Sequence, residues 1–307
     1  MTNKISEKDL SEAIGEQLSS LVREKIKDMD LTYEELSKEE NNNVLIDILN
    51  FLFEEDNNVI KAGEHRINDW NKGWGENAKE LVEQKSYDSL VPKYFGKYPY
   101  VRWNKEIIRP CDKNMEYSMV KILQYWAFDK FLKDCENIYE FGCGTGHNLF
   151  RAKEVNPGAN ITGLDWSTSS QESIQQINKI FNLEFDCHRF DFFNVDKDFR
   201  LGNKSGVYTF AALEQINDGY VDFINYLLDN NVDICFHIEP IGEYLDEGNI
   251  YDLLSKKYFE KRNYLKGFRD YLYNLDRQDK IEIVYEKESF IGSMFINGYS
   301  IIAWRKK

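Results

Sequence analysis

The residues best suited to bind a ligand lie in one short segment, where an acid is followed by glycines at alternate positions. Glu140 ends an apolar run typical of a strand, and Gly142, Gly144 and Gly146 come directly after it. Glycine admits backbone conformations that are closed to other residues and lets a ligand approach the main chain closely. The segment therefore predicts a cofactor-binding loop between a strand and a helix.

The spacing of the glycines decides which cofactor is expected. A dinucleotide fingerprint, G-x-G-x-x-G, would need its third glycine at position 147, where this chain has His147. A phosphate-binding P-loop is excluded because no Gly-Lys-Ser/Thr sequence follows. The pattern E-x-G-x-G-x-G after a strand resembles motif I of the class I S-adenosylmethionine-dependent methyltransferases. This resemblance covers about residues 117 to 307 and implies S-adenosylmethionine as the cofactor, bound by Glu140 and the three glycines.

Acids at the ends of the next two predicted strands extend the resemblance. Asp165 lies nineteen residues beyond Gly146, and a carboxylate at about that distance binds ribose hydroxyls in nucleotide-binding α/β folds. The resemblance gives Asp165 this role and places Trp166 against the adenine. It also implies that Asp191 binds the adenine amino group while Phe192 packs on the ring.

The base is expected at the ends of the fourth and fifth strands, near the transferred methyl group. Glu214 precedes Gln215 where many small-molecule methyltransferases have a glutamate and a histidine, and glutamine cannot act as a base. His237 and Glu239 are two residues apart on a strand and so share a face. Because Glu239 lies nearer the carboxyl end, we expect it to be the catalytic base for a hydroxyl acceptor, with His237 as the next candidate.

The segment before the glycine loop offers candidate substrate-binding residues. Arg109, Tyr117 and Lys121 fall in one loop-and-helix stretch, and Glu214 is added from the fourth strand end. If this stretch covers the cleft, its two cations suit an acceptor that bears phosphate or carboxylate. The alternative is that both cations pair with surface acids.

Aromatic residues crowd residues 62 to 110, which have neither a clear helical nor a clear strand pattern. They pack a helical appendage on the core, or they form a wall or lid over the acceptor. The sequence leaves both interpretations open. The residues are Trp70, Trp74, Tyr94, Tyr98, Tyr100 and Trp103.

Charge and composition exclude several classes of function. The 307-residue chain has a net charge of −14, and residues 1 to 60 hold fifteen acids against six bases. Such a surface repels a phosphate backbone, so we expect no nucleic-acid partner. The five cysteines and four histidines lack metal-ligand spacing, and no metal is expected, although Glu214 and Glu239 offer two acids at the strand ends. No apolar run is long enough to cross a membrane and the N-terminus is too charged for a secretory signal, so we expect a cytoplasmic protein.

The elements that must position these residues alternate along the second half of the chain. This alternation predicts a doubly wound, Rossmann-like, mostly parallel sheet that ends in an antiparallel hairpin. Residues 1–116 are expected to form a helical N-terminal extension or lid, and residues 117–307 the methyltransferase core. Ser6 is a plausible N-cap, and Thr32 with Glu35 fits a capping box that opens a second helix.

The sequence as a whole predicts methyl transfer from S-adenosylmethionine to a small polar metabolite, with O-methylation favoured. Two alternatives stay open: a protein methyltransferase whose acceptor groove is formed by the N-terminal helices, and a non-catalytic cofactor-binding or assembly protein. The acceptor, the methylated atom and the oligomeric state, monomer or homo-oligomer, are left undetermined.

Overall fold

A computed structural model describes residues 2–54, 59–230 and 232–307. Its strands, in chain order, are Thr2–Lys4 (β1), Thr32–Glu35 (β2), Val101–Trp103 (β3), Glu106–Pro110 (β4), Asn137–Phe141 (β5), Asn160–Asp165 (β6), Asp186–Arg189 (β7), Ser205–Phe210 (β8), Ile234–Glu239 (β9), Ile281–Lys287 (β10), Ile291–Ser293 (β11) and Ser300–Lys306 (β12). Its α-helices are Glu7–Ile14 (α1), Ser20–Ile26 (α2), Lys38–Phe53 (α3), Ile67–Gln84 (α4), Met115–Phe131 (α5), Leu149–Val155 (α6), Thr168–Phe181 (α7), Val221–Asp229 (α8), Ile250–Arg262 (α9) and Phe268–Arg277 (α10).

The large sheet has seven strands in the order β10-β12-β9-β8-β5-β6-β7. Strands β5 to β9 run parallel, and β12 lies antiparallel between β9 and β10. Every residue of β8 and β9 is buried, as expected for parallel strands covered on both faces. The predicted doubly wound, mostly parallel sheet with a C-terminal antiparallel hairpin is confirmed.

The strand order reverses at β5, because β6 and β7 follow on one side while β8 and β9 follow on the other. In open α/β sheets this reversal opens a crevice at the carboxyl ends of the strands, where ligands bind. The residues that follow β5, β6, β8 and β9 are therefore brought together at one edge of the sheet.

A second, antiparallel sheet ties the N-terminal residues to the core. Its order is β1-β2-β4-β3-β11, so four strands come from the first 110 residues and the fifth from the C-terminal hairpin. The N-terminal residues form helices α1 to α4, of which α4 lies in the segment without a clear pattern, and also strands that the sequence did not indicate. Strand β11 pairs directly with β3, so the extension and the core share this sheet.

The predicted N-cap at Ser6 is confirmed, and the predicted capping box at Thr32 is wrong. The Ser6 hydroxyl accepts from the backbone N–H of Asp9, whose carboxylate accepts from the N–H of Ser6. Thr32, by contrast, begins strand β2, which is paired on both sides. The second capping box lies five residues further on, where Ser37 and Glu40 open α3.

The long helix before the glycine loop is α5, which begins at Met115 and ends at Phe131. Helix α10 and strands β3 and β4 were not predicted. Within the described part of the chain, no helix combines the length and the apolar character needed to cross a bilayer.

Candidate functional site

The glycine loop follows directly after β5. Its three glycines, at alternate positions, have the left-handed backbone conformation. Gly142, Gly144 and Gly146 have φ angles of 77°, 54° and 79°. A Cβ built on Gly142 would lie 2.3 Å from the Cβ of Ala212, after the neighbouring strand β8. The loop therefore requires glycine both for its dihedral angles and for its close approach to β8.

Asp165 holds this loop from the end of β6. Its Oδ2 accepts from the N–H of Gly144 at 2.9 Å, and its Oδ1 accepts from the N–H of Ser167 at 2.8 Å. Burial raises the pKa of the Asp165 carboxyl, and these two backbone donors oppose the rise. Each carboxylate oxygen keeps a further lone pair for a ligand hydroxyl.

The other predicted cofactor-binding residues divide into two groups. Trp166 and Phe192 lie at the cleft beside the loop. Asp191 closes a turn instead, because its carboxylate accepts from the N–H of Phe193 and from the Asn194 side chain at 2.9 and 3.1 Å.

Glu140 is fully buried behind the glycine loop. Its carboxylate accepts from Asn148 Nδ2 at 2.7 Å and from the Tyr208 hydroxyl at 3.0 Å. Burial raises the pKa of the carboxyl to about 8. Glu140 thus joins the loop, α6 and β8 and does not line the cleft.

The cleft over the loop, called here the loop cleft, is narrow. Its volume is about 60 Å³. Trp70 and Trp74 of α4 stack at 5.2 Å and form its outer wall. A Cβ on Gly144 would lie 3.1 Å from Trp74 Cζ2, so this indole ring rests on the loop. The lining residues are Trp70, Trp74, Gly142, Asp165, Trp166, Phe192, Phe193, Ala211, Ala212, Gln215 and Ile216.

Asn71 fixes α4 to the start of α7. Its Oδ1 accepts from the hydroxyls of Ser167 and Thr168 at 2.9 and 3.0 Å and from the N–H of Ser169 at 3.1 Å. Because Ser167 makes no capping hydrogen bond of its own, Asn71 supplies the N-cap from another helix.

A larger cavity, called here the large cavity, adjoins the loop cleft and has a volume of about 490 Å³. The two spaces share Trp70, Trp74, Gly142 and Ala211. The remaining wall combines phenylalanine and tyrosine rings with a similar number of charged or polar side chains. Its aromatic lining residues include Tyr94, Tyr98, Phe210, Tyr258, Tyr264, Phe295 and Tyr299, and its charged or polar ones include Lys97, Glu116, His147, Glu214 and Arg262.

Two carboxyl groups face the large cavity. Glu214 follows β8 in a short 3₁₀ turn, and its Oε1 accepts from Gln215 Nε2 at 2.8 Å. Glu116 lies in the first turn of α5, and its Oε1 accepts from the Tyr299 hydroxyl at 3.2 Å. Burial raises the pKa of each carboxyl to about 7.

His237 lies inside the sheet, which corrects its prediction as a site residue. Its Nε2 accepts from Trp304 Nε1 at 3.1 Å, so its Nδ1 carries the proton and donates to Thr209 Oγ1 at 3.0 Å. Burial lowers the pKa of the ring to about 3. His237 is a neutral core residue that reaches neither cavity.

Glu239 also lies behind the cavity wall, because both its oxygens accept from the N–H of Ala212 at 3.1 Å and one accepts from the N–H of Glu214 at 3.4 Å. Burial raises the pKa of its carboxyl to about 8. The neighbouring Ala211 has a φ of 47°, unusual for alanine. Glu239 therefore holds the strained backbone that presents Glu214, and is not placed to act as the base.

The three residues predicted to bind substrate before the loop lie elsewhere. Arg109 pairs with Glu34 and Glu40 at 3.4 and 2.6 Å, which corrects the prediction that it faces the acceptor. Tyr117 bonds to the Tyr87 hydroxyl at 2.6 Å, and Lys121 lies 5.2 Å from the Tyr117 ring centre. None of the three lines either cavity.

The aromatic segment left open by the sequence forms part of both walls. Trp70, Trp74, Tyr94 and Tyr98 line the cavities, whereas Trp103 is buried in the second, antiparallel sheet.

Several residues of the large cavity were not predicted, and no local pattern marks them: Glu116, His147, Tyr258, Tyr264 and Tyr299. Among the described residues, no three histidine, cysteine or acidic side chains are grouped as a metal site.

Solved structures share this architecture at low identity. The small RNA methyltransferase HEN1 aligns with 61% of this chain and 25% of its own, at 14% identity and a TM-score of 0.47. An O-methyltransferase family protein from Burkholderia thailandensis aligns over 64% of this chain and 61% of its own, at 12% identity and a TM-score of 0.45. Human N-acetylserotonin methyltransferase aligns over 84% and 69%, at 13% identity and a TM-score of 0.42. At these identities and TM-scores the likeness supports no conclusion about the role of this chain. No protein-family model and no curated protein matches the sequence.

Proposed function

We propose that this protein is an S-adenosylmethionine-dependent methyltransferase that acts on a small molecule. The observation that carries the proposal is the meeting of two spaces at one glycine loop. The loop cleft holds the features of a nucleoside site, and the large cavity falls within the roughly 300–1,000 Å³ typical of small-molecule pockets. A pocket of this size favours a small acceptor over the protein acceptor that the sequence left open.

The residues of the loop cleft fit the cofactor. Trp70 Nε1 and Gln215 Oε1 are buried there with no hydrogen-bond partner in the described part of the chain, and the adenosine part of the cofactor offers both donors and acceptors. Asp165 would hold the ribose, and Trp166 and Phe192 would flank the adenine. When bound, the cofactor supplies an electrophilic methyl group on a sulfonium.

The chain itself supplies alignment and a base. Holding two reactants in line contributes most of the rate in such displacements, with effective molarities of up to about 10⁵–10⁸ M. Glu214 is the carboxyl that both borders the large cavity and follows β8, so it replaces Glu239 as the group proposed to take a proton from the acceptor. The roles proposed for the described residues require no metal, and we predict that activity persists in the presence of EDTA. The cytoplasmic location also stays a prediction.

Calorimetric titration with S-adenosylhomocysteine tests this proposal. We expect micromolar binding, no binding of NAD, and a loss of about 1.5–3 kcal/mol in binding free energy for Asp165→Ala, the scale of a charge-linked hydrogen bond. Asp186→Ala, at the exposed start of β7, is the matched control and should bind normally. Binding of NAD without a response to S-adenosylhomocysteine contradicts the proposal. Normal cofactor binding without turnover on any acceptor favours the non-catalytic alternative.

A further inference from the structure

The polar wall of the large cavity includes three hydrogen-bond acceptors that the protein leaves incompletely matched. The first is Glu116, which is 6% exposed. Among the described residues, the Tyr299 hydroxyl is its hydrogen-bond donor, and no lysine or arginine influences its carboxyl. A buried carboxylate without a cation is costly, so this position favours a ligand that brings positive charge.

The second acceptor is the ring of His147, which is 5% exposed and lines the same cavity. The Thr145 hydroxyl donates its hydrogen to Leu90 O at 2.7 Å, so it accepts from His147 Nδ1 at 3.0 Å. Nδ1 therefore carries the proton and Nε2 offers a lone pair. Nε2 has no hydrogen-bond partner among the described residues, which leaves a buried acceptor available to a ligand donor.

The third acceptor is Glu214, whose Oε1 accepts from Gln215 Nε2 at 2.8 Å and whose carboxyl also feels the charge of Arg262 and a hydrogen bond from Tyr264. Arg262 lies over the rings of Tyr258 and Tyr264, at 5.9 and 5.5 Å. Aromatic rings add to this acceptor-rich wall, since Phe210 and Tyr299 stack at 5.5 Å and both line the cavity. The faces of aromatic rings attract cations.

We propose that the acceptor is a primary or secondary amine on an aromatic or apolar body, and that Glu116, Glu214 and His147 bind its N–H groups. This inference rests on the proposed methyltransferase function and replaces the hydroxyl acceptor expected from the sequence. The carboxylate of Glu214 takes one proton from the bound ammonium, which frees the nitrogen lone pair. That pair forms the new C–N bond as the methyl–sulfur bond breaks and its electrons return to sulfur. The product leaves as the methylated ammonium, and Glu214 returns its proton to water.

A matched pair of probes tests the inference: benzylamine and benzyl alcohol, which differ in the group that can carry charge. Calorimetry is performed with and without saturating S-adenosylhomocysteine. We expect benzylamine to bind at least about tenfold more tightly than benzyl alcohol. Glu116→Gln should bring this ratio close to one, while Glu172→Gln, on the exposed face of α7, should leave it unchanged. His147→Phe keeps an aromatic ring but removes the acceptor, so it should lower the ratio if Glu116→Gln does not fold.

Equal binding of the two probes, tighter binding of the alcohol, or binding of neither at millimolar concentration overturns the inference. An amine preference that survives both Glu116→Gln and His147→Phe also overturns it. The amine preference is also measured without S-adenosylhomocysteine. A missing response to S-adenosylhomocysteine therefore contradicts the proposed methyltransferase function but does not bear on the amine preference.

Discussion

The loop cleft and the large cavity meet at the same glycines, but their walls have different origins. The loop cleft takes most of its wall from segments that follow strands β5, β6, β7 and β8, and its tightest contacts involve backbone atoms. The large cavity takes side chains from α3, residues 92–98, α5, α9 and residues 293–299. Changes to the first should therefore act through backbone geometry, and changes to the second through charge and side-chain shape.

Gly142→Ala is the most severe test of the loop cleft, whose tightest contacts involve backbone atoms. The substitution adds left-handed strain and places a Cβ within 2.3 Å of Ala212, so we expect a loss of about 2–5 kcal/mol in unfolding free energy. Binding of S-adenosylhomocysteine should also be lost. Urea denaturation and calorimetry measure the two effects.

Gly73→Ala is the matched control for this change. Gly73 lies within α4, and apart from the adjacent helix backbone no atom of the described residues lies within 4 Å of a built Cβ, so alanine should stabilise the helix by roughly 0.5–1 kcal/mol. A Gly142→Ala variant as stable as this control would show that the loop tolerates a side chain.

Buried carboxyl groups in and behind the walls of the two spaces predict an unusual dependence of stability on pH. Burial raises the pKa of Glu116 to about 7 and of Glu140 and Glu239 to about 8. The folded state therefore binds more protons than the unfolded state between the ordinary carboxyl pKa of 4.5 and these raised values. Stability should fall as pH rises across this window, by on the order of 1–3 kcal/mol between about pH 6 and about pH 8.

Urea denaturation of the unliganded protein at several pH values measures this slope. Glu116→Gln should flatten it, because the amide does not titrate. Stability that rises with pH over the same window would mean that these carboxyls are ionised in the folded protein.

The boundary between the two spaces is tested by Trp74→Ala. The loop cleft is far smaller than the roughly 300–1,000 Å³ of pockets that hold drug-sized ligands, and Trp74 rests on Gly144, so we expect this indole ring to slow the entry of a cofactor. Removing the indole should raise the association rate of S-adenosylhomocysteine on the order of tenfold. Stopped-flow fluorescence measures the rate, with Trp74→Phe as the ring-retaining control. Slower association of Trp74→Ala would identify the indole as a fixed wall.

The smallest effect is expected for Asn71→Ala, which removes the cap that α4 provides to α7. Loss of an N-cap typically costs about 1 kcal/mol, and chemical denaturation should show a decrease of this size. Asn50→Ala, at an exposed position of α3, is the control and should leave stability unchanged. An equal loss in both variants would remove the special role of Asn71.

The sequence indicated the residues of the loop cleft far better than those of the large cavity. The strand, the turn and the acid of the loop cleft are encoded by neighbouring residues, so spacing and the family resemblance indicated where Gly142 and Asp165 lie, while their cofactor roles stay predictions. Glu116 and Tyr299 are joined by a hydrogen bond across 183 positions, which no local pattern reveals. Arg109 shows the same limit, because its charge indicated a ligand while distant Glu34 and Glu40 neutralise it.

The fold divides in the same way. Hydrophobic alternation indicated the long core elements, but the three-residue strands β3 and β11 are too short to show a period. His237 and Glu239 were correctly placed on one strand of the core, yet their roles depend on Thr209, Trp304 and Ala212 from its neighbours.

Strand β11 has a consequence for how the protein is made. The ribosome synthesises β3 long before Ile291–Ser293, the strand that pairs with its free side. Until then β3 presents an open edge, the kind of surface that promotes pairing with other chains. Because this pairing joins residues far apart in sequence, it is also expected to form slowly. A nascent or truncated chain that ends before β11 should therefore depend on chaperones, and the first 110 residues should not transfer to another core as an independent module.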